Sequence, residues 1–366
     1  MTRTRYNAQT MSKAFLLIPG ARLPASEADA ILAGLSADAR EALASLGDDA
    51  GQVVTQTFDL DCYRRAPHLV WLWRVITRRT SLPHEAPWRW LALGGREQAP
   101  ELWCLTPYTL SDGRIASDVP PLDDAAFMQL TFAVEPVFLK AGLRLQIWDC
   151  HWFLTRREDW PLTTAPFMAT AGMAPEDLPM TGEAADDVRR MLDEVRSILA
   201  SHPVNEERRR SGQPTVDGLW ISGGGHEELF FPPTLIRSVA ADDDAVRGWA
   251  NASGILLERL GRDVGRWPDA PQGDVIAVIE DLYRPWLARD WKAWSDALPG
   301  TARKVRDYLE DAKRFDVDEH LLIAFGEGGA ATLAPAEAGL MDRLFRRKSR
   351  VSPNAWCPDR YEESHS

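Results

Sequence analysis

The sequence predicts an α/β fold: a largely parallel central sheet with helices on both faces and an inserted α+β subdomain. Three observations predict it. Residues 14–18 (AFLLI), 274–280 (DVIAVIE) and 320–325 (HLLIAF) are short, continuously apolar runs, the mark of strands buried on both faces. After residue 183 such runs are interleaved with helical segments, the pattern of parallel strands joined by crossover helices. Residues 143–155 (LRLQIWDCHWFLT) read instead as two β-rich runs about Asp149-Cys150, a hairpin that βαβ winding does not produce.

Taken in order, 14–18 is a first buried strand ending at Pro19-Gly20, and 25–46 an Ala/Leu-rich helix. A second strand is expected over 53–60 and a buried helix over 68–78 (HLVWLWRVITR). A proline-bearing stretch at 81–89 changes the texture. Residues 101–106 (ELWCLT) read as a strand, and 122–141 as a helix closed by Gly142, where a left-handed cap is cheap. With the hairpin, these place an inserted subdomain at 81–180, a core formed by 1–80 and 181–345, and a loose polar tail at 346–366. The strongest helix spans 183–201: Val188, Met191, Leu192, Val195, Ile198 and Leu199 share one face, and Pro203 stops it. A strand at 218–221 (GLWI) runs into Ser222-Gly223-Gly224-Gly225-His226. Another at 235–240 (LIRSVA) runs into Asp242-Asp243-Asp244 and a helix over 245–260. The strand 274–280 ends at Glu280-Asp281, and a Trp-rich helical region and a helix over 301–313 precede the strand 320–325.

Composition narrows the class. The 366 residues are 45% apolar and 26% charged, a globular composition for one large or two closely joined domains. A net charge of −12 argues against nucleic acid, and the basic stretch 343–350 (RLFRRKSR) reads as tail. No run approaches the roughly 18 apolar residues of a membrane helix. The apolar run at 14–18 is too short for a signal-peptide core, so a cytoplasmic location is expected. Four cysteines without a CxxC pair point to reduced structural thiols. Cys150 and His151, as neighbours on a strand, point to opposite faces and make a poor dyad. Fifteen tryptophans are expected to fill core and seams.

In open parallel sheets ligands bind beyond the carboxyl ends of the strands. Gly223, Gly224 and Gly225 let backbone approach a ligand and their amides cup an anion, with His226 beside them; a tight structural turn is the other reading. Asp242, Asp243 and Asp244 suit either the N-terminus of the following helix, the favoured reading, or a divalent cation. Glu280 and Asp281 fit a metal or a solvated strand end equally.

The most specific segment is 201–226 (SHPVNEERRRSGQPTVDGLWISGGGH). Its His202-Pro203-Val204-Asn205, Arg208, Gly212, Pro214, Leu219-Trp220 and Gly223-Gly224-Gly225 resemble the signature of bacterial RpfE-type regulatory proteins. These are similar to archaeal-type cofactor-independent phosphoglycerate mutases, a branch of the alkaline phosphatase superfamily. A weaker resemblance covers most of the chain, including Leu17-Ile18-Pro19-Gly20. It implies an alkaline-phosphatase-like sheet with an inserted lobe. In the catalytic branch it further implies two divalent metals, a Ser or Thr phosphoryl acceptor, and Asp/His ligands from both ends of the chain. This sequence departs from that pattern. Pro19-Gly20 stands where the enzymes carry a metal-binding Asp-Gly, and the late Asp-His pair is missing: Glu319-His320 precedes the last strand and Gly326-Glu327-Gly328 follows it.

The expectation is therefore a catalytically degenerate protein without a cofactor, regulatory in role, binding a small anionic ligand or a protein partner. The candidate pocket is His202, Asn205, Arg208, Gly223, Gly224, Gly225 and His226, with Arg208 pairing the anion bidentately. A structural reading of the same motif has a cis or kinked Pro203 fixing the turn while His202 and Asn205 tie down loop backbone. The functional alternative is an active phosphomutase or phosphohydrolase acting on a small phosphate ester. It would hold Mn or Mg through Asp242, Asp243, Asp244, Glu280 and Asp281, aided by His226.

Overall fold

Every second side chain of the first strand faces the same way, and in this chain both faces are apolar. The computed structural model describes residues 12–48, 50–95, 101–228, 230, 233, 235–258, 273–314, 317, 319–335 and 350–359. Its main elements run β1 (Lys13–Ile18), α1 (Ala25–Gly34), α2 (Ala37–Ser45), β2 (Ala50–Thr57), α3 (Pro67–Thr77), α4 (Ala86–Ala92), β3 (Glu101–Tyr108) and α5 (Asp124–Lys140). Then come β4 (Arg144–Trp148), β5 (His151–Arg156), α6 (Ala185–Ala200), α7 (Pro203–Arg210), β6 (Gly218–Gly225), β7 (Ile236–Ala240) and α8 (Asp244–Ala252). The last are β8 (Leu256–Glu258), β9 (Asp274–Val278), α9 (Tyr283–Leu287), α10 (Trp291–Arg314), β10 (Glu319–Phe325) and β11 (Gly329–Pro335).

The central sheet has the order β8-β7-β9-β1-β10-β11-β2. Its first five strands are mutually parallel, and β11 and β2 close the far edge antiparallel. Leu16 lies level with Ala277 on one side and Leu322 on the other. Ala14, Leu16 and Ile18 pack with α1, α2 and α10, whereas Leu17 packs with α3 and α8 on the opposite face. Leu16, Leu17 and Ile18 are fully buried, each worth roughly 1.5–3 kcal/mol of transfer free energy. The expected helix 25–46 is two helices. Leu35 is extended and Ser36 restarts the chain, its hydroxyl accepting from the Ala39 amide.

The second sheet is antiparallel throughout, in the order β6-β3-β5-β4. Its β4–β5 hairpin is the one expected, with positive φ at both Asp149 (46°) and Cys150 (57°), as a two-residue I′ turn requires. Along β3, Trp103 and Leu105 face the layer of α5 and α6, while Leu102 and Cys104 face α4.

Two expectations are corrected here. The strand at 218–221 and the helix at 183–201 were assigned to the core. Instead β6 pairs antiparallel with β3, from Gly218 opposite Tyr108 to Gly225 opposite Leu102, and the apolar face of α6 packs against Phe127, Val134 and Trp152 of the second layer. Sheet membership therefore changes after Gly225, not at residue 180. A doubly buried strand has the same continuous apolar pattern in either kind of sheet, so GLWI could not declare its partner. The tail is the other correction. Trp356 and Cys357 are fully buried, and Asp359 forms a buried ion pair with Arg22 at 2.7 Å. Residues 346–349 and 360–366 of the expected tail lie outside the described residues.

The remaining expectations on packing hold. Trp73, Trp249, Trp294 and Trp356 are wholly buried. The four cysteines are free thiols, three of them buried; Cys150 is exposed and lies in the hairpin turn and not on a strand, its Sγ turned to Asp124 and His151 Nδ1 to the Asp149 carbonyl, so they form no dyad. Among the described residues no helix is long and apolar enough to cross a membrane.

Candidate functional site

Because β7, β9 and β1 are adjacent and parallel, their carboxyl ends meet along one edge, and the residues that follow them come together there. After β7, Asp243 caps α8, accepting from the amides of Ala245 (2.9 Å) and Val246 (3.1 Å). The same carboxylate receives the Arg89 guanidinium of α4 at 2.5 Å, and Arg89 also reaches Glu85 at 3.3 Å. Burial opposes charge on Asp243, but Arg89 and the two amides outweigh it and hold its pKa below the usual range. Glu280, after β9, lies near this cluster. Burial, then Asp243 and Asp242, push its pKa up to about 7. Glu85 is likewise raised to about 7, chiefly by burial, and its Oε1 has no hydrogen-bond partner. Nearby His68 is buried and drops to about 3 through desolvation.

Of the metal candidates, the fold thus gathers Asp242, Asp243 and Glu280. Asp244 is exposed on the first turn of α8, and Asp281 pairs with Lys304 at 2.7 and 2.9 Å. Two divalent ions do not fit this arrangement. Among the described residues no three His, Cys, Asp or Glu side chains converge as ligands. The end of β1 is filled as well: Gly20 has φ 74°, and a Cβ there would come within 2.8 Å of Trp286 Cβ and 2.9 Å of the Leu282 carbonyl. Pro19, at the position that would present a ligand, carries no donor atom in its side chain, and α9 packs against the backbone of Gly20 beside it.

The three glycines end β6 on the second sheet, and packing alone accounts for them. Gly223 has φ 65°, its carbonyl accepts from the Glu85 amide, and a Cβ would strike Glu85. A Cβ on Gly224 would lie in the Trp103 indole, and one on Gly225 in the His84 ring. The glycines let these rings rest on bare backbone, and the rings wall a cavity of about 310 Å³ at the seam between 63–84 and the second sheet. His226 is at its rim, bonded to Asp159 at 2.7 Å, and His84 Nδ1 faces the His226 carbonyl at 3.3 Å.

His202, Asn205 and Arg208 do not join this cavity. His202 Nδ1 caps α7 by accepting from the Val204 amide at 3.2 Å. Asn205 donates to the carbonyls of Leu199 and Val216 and accepts from the Val216 amide, all at 2.8 Å. Arg208 donates from Nε to Pro214 O (2.6 Å) and from Nη2 to Pro121 O (2.8 Å). The expected anion pocket is corrected accordingly: His202 and Asn205 bond loop backbone, as the structural reading of the motif has it, and Arg208 spends its donors on the Pro214 and Pro121 carbonyls. Pro203 supplies a trans N1 position, since the described residues contain no cis peptide.

Sequence reasoning missed Glu85, Arg89, His84, Asp159, Glu101 and Thr164. Only Glu85 and Arg89 carried a signal, an i,i+4 pair of opposite charge on a short apolar helix.

No protein-family profile matches the chain, and neither does any curated protein sequence. Two solved structures align with most of this chain. The cofactor-independent phosphoglycerate mutase from Thermoplasma acidophilum aligns with 94% of this chain and 95% of its own length, at 14% identity and a TM-score of 0.41. The PH0037 protein from Pyrococcus horikoshii aligns with 89% of this chain and 87% of its own, at 15% identity and a TM-score of 0.43.

Proposed function

We propose that this chain is a mutase-like scaffold in which a protein cation has taken the place of a metal centre, and that it serves as a regulatory binding protein. One observation carries the reading. The Arg89 guanidinium is seated between Asp243, beyond the carboxyl end of β7, and Glu85, at the start of α4, a permanent positive charge that no physiological pH removes. A divalent ion brought to the same carboxylates would meet that charge at close range and would have to displace it. The regulatory role follows the resemblance of segment 202–225 to RpfE-type proteins.

A second reading, metal-dependent phosphomutase or phosphohydrolase chemistry with Mn or Mg, draws on the gathering of Asp242, Asp243 and Glu280 at neighbouring strand ends. Elemental analysis of the purified protein and titration calorimetry with Mn²⁺ separate the two, together with assays on 3-phosphoglycerate and a simple phosphate ester. The expected result is no tight metal and no turnover. About two tight equivalents per chain, with turnover abolished in Glu280→Gln, would overturn the proposal.

A further inference from the structure

Three side-chain polar atoms in the seam cavity, Glu101 Oε2, Trp103 Nε1 and Thr164 Oγ1, make no close hydrogen bond among the described residues. Glu101, the first residue of β3, is 5% exposed; the Trp160 backbone and the Trp103 indole support its carboxylate, and its Oε2 has no close hydrogen-bond partner. Thr164 is 2% exposed, and its Oγ1 has none either. Both line the cavity. A buried polar group without a partner costs about 1–3 kcal/mol, and more when it carries charge, so such groups are rare unless something else satisfies them.

The surroundings say what that something is. Among the described residues the cavity wall carries two carboxylates, Glu101 and Asp159, and no lysine or arginine. Of its histidines, His84 is pushed toward the neutral form by burial, while His226, bonded to Asp159 and within electrostatic reach of Glu101, offsets one of the two charges when protonated. Arg156 lies outside, over the Trp160 ring at 5.8 Å, and Arg79 is paired with Glu228. The aromatic wall is Trp103 and Trp160, packed edge to face at 5.3 Å, together with Tyr63. Unmatched negative charge beside indole faces attracts a positive head and repels an anion.

We infer that this cavity binds a small organic cation, an ammonium or amidinium head on a compact apolar body, with the head on Glu101 Oε2 and Thr164 Oγ1 and the body along Trp103 and Trp160. The inference goes beyond the preceding reading and stands apart from it, since none of these side chains belongs to the Arg89 cluster. It also replaces the anionic ligand for this cavity, because Arg208, the cation expected to pair an anion, spends its donors on the Pro214 and Pro121 carbonyls. A volume of about 310 Å³ sits at the small end of ligand pockets, suited to a compact molecule.

The test is calorimetry on the full chain with benzylamine and benzamidine as cationic probes, benzyl alcohol as the neutral isostere, and inorganic phosphate as the anion. Both cations are expected to bind at least ~10-fold more tightly than the alcohol, about 1.4 kcal/mol. Glu101→Gln keeps the shape, removes the charge and is expected to cancel that preference. Thr164→Val is expected to weaken the cations about threefold, the loss of one modest hydrogen bond. Melting curves establish that both variants are folded. The inference is overturned if the alcohol equals the cations, if phosphate displaces them, if Glu101→Gln leaves their affinity unchanged, or if neither cation binds at about 10 mM.

Discussion

At the sheet edge, the carboxylates of Asp243 and Glu85 face a guanidinium that the fold itself provides; in the seam cavity, Glu101 faces none. Both places bury acidic side chains, yet at one an arginine lies between two carboxylates and at the other none does. The difference lies in the source of the counter-charge. Arg89 reaches Asp243 because α4 is packed against α8, with Gly248 allowing Trp88 to lie against the helix backbone. Among the described residues no helix brings an arginine to Glu101. A finished cluster of the first kind supports the structure, and an unfinished one of the second kind is where a ligand completes the pairing.

The largest expected effect breaks the finished cluster. Arg89→Met leaves Asp243 and Glu85 buried without their cation and should cost about 3–5 kcal/mol, read from the shift of the urea midpoint at constant slope. Glu280→Gln sharpens the comparison through pH. A folded-state pKa raised from 4.5 to about 7 means the native chain binds more protons than the unfolded one across that window, so wild-type stability falls as pH rises through it. The glutamine variant should therefore be the more stable form at pH 8, by at most roughly 3 kcal/mol, and should match wild type near pH 4. His68 acts in the opposite sense, since the unfolded chain alone takes up its proton below about 6.5; taking the difference between the two proteins cancels that contribution. A variant destabilised at pH 8 would instead mark Glu280 as a ligand of a bound cation. The smallest effect belongs to the cavity. Thr164→Val removes a hydroxyl with no partner, so unfolding of the ligand-free protein should change by less than about 0.5 kcal/mol or shift toward stability.

The contrast between the two places explains what could be read from the chain. The strands at 14–18, 274–280 and 320–325 were legible because burial on both faces leaves an uninterrupted apolar run, and the hairpin because Asp149-Cys150 sits between two β-rich runs. Asp243 as a helix cap was legible, being local. The break at Ser36 was less so, since Ala- and Leu-rich helices on either side mask a one-residue change of backbone. The membership of β6 was not legible, because its partner is more than a hundred residues upstream. The motif 202–208 stood out for its fixed residue types, yet those types serve a loop whose carbonyls need donors, and residue identity alone does not distinguish a donor spent on backbone from one aimed at a ligand. Glu101 and Thr164 left no trace at all. Their interest lies in partners they lack, and that is a property of three-dimensional neighbours.

The place of β1 in the middle of the central sheet has a consequence for how the protein is made. Its neighbours β9 and β10 lie late in the chain; the Lys13 amide donates to Asp274, 261 residues further on. At roughly 5–20 residues per second, a ribosome delivers AFLLI some ten to fifty seconds before the first strand able to pair with it. For that interval an apolar strand is exposed on the nascent chain with both edges open, the condition under which holding chaperones act. The sheet is then assembled around its oldest strand by its youngest ones.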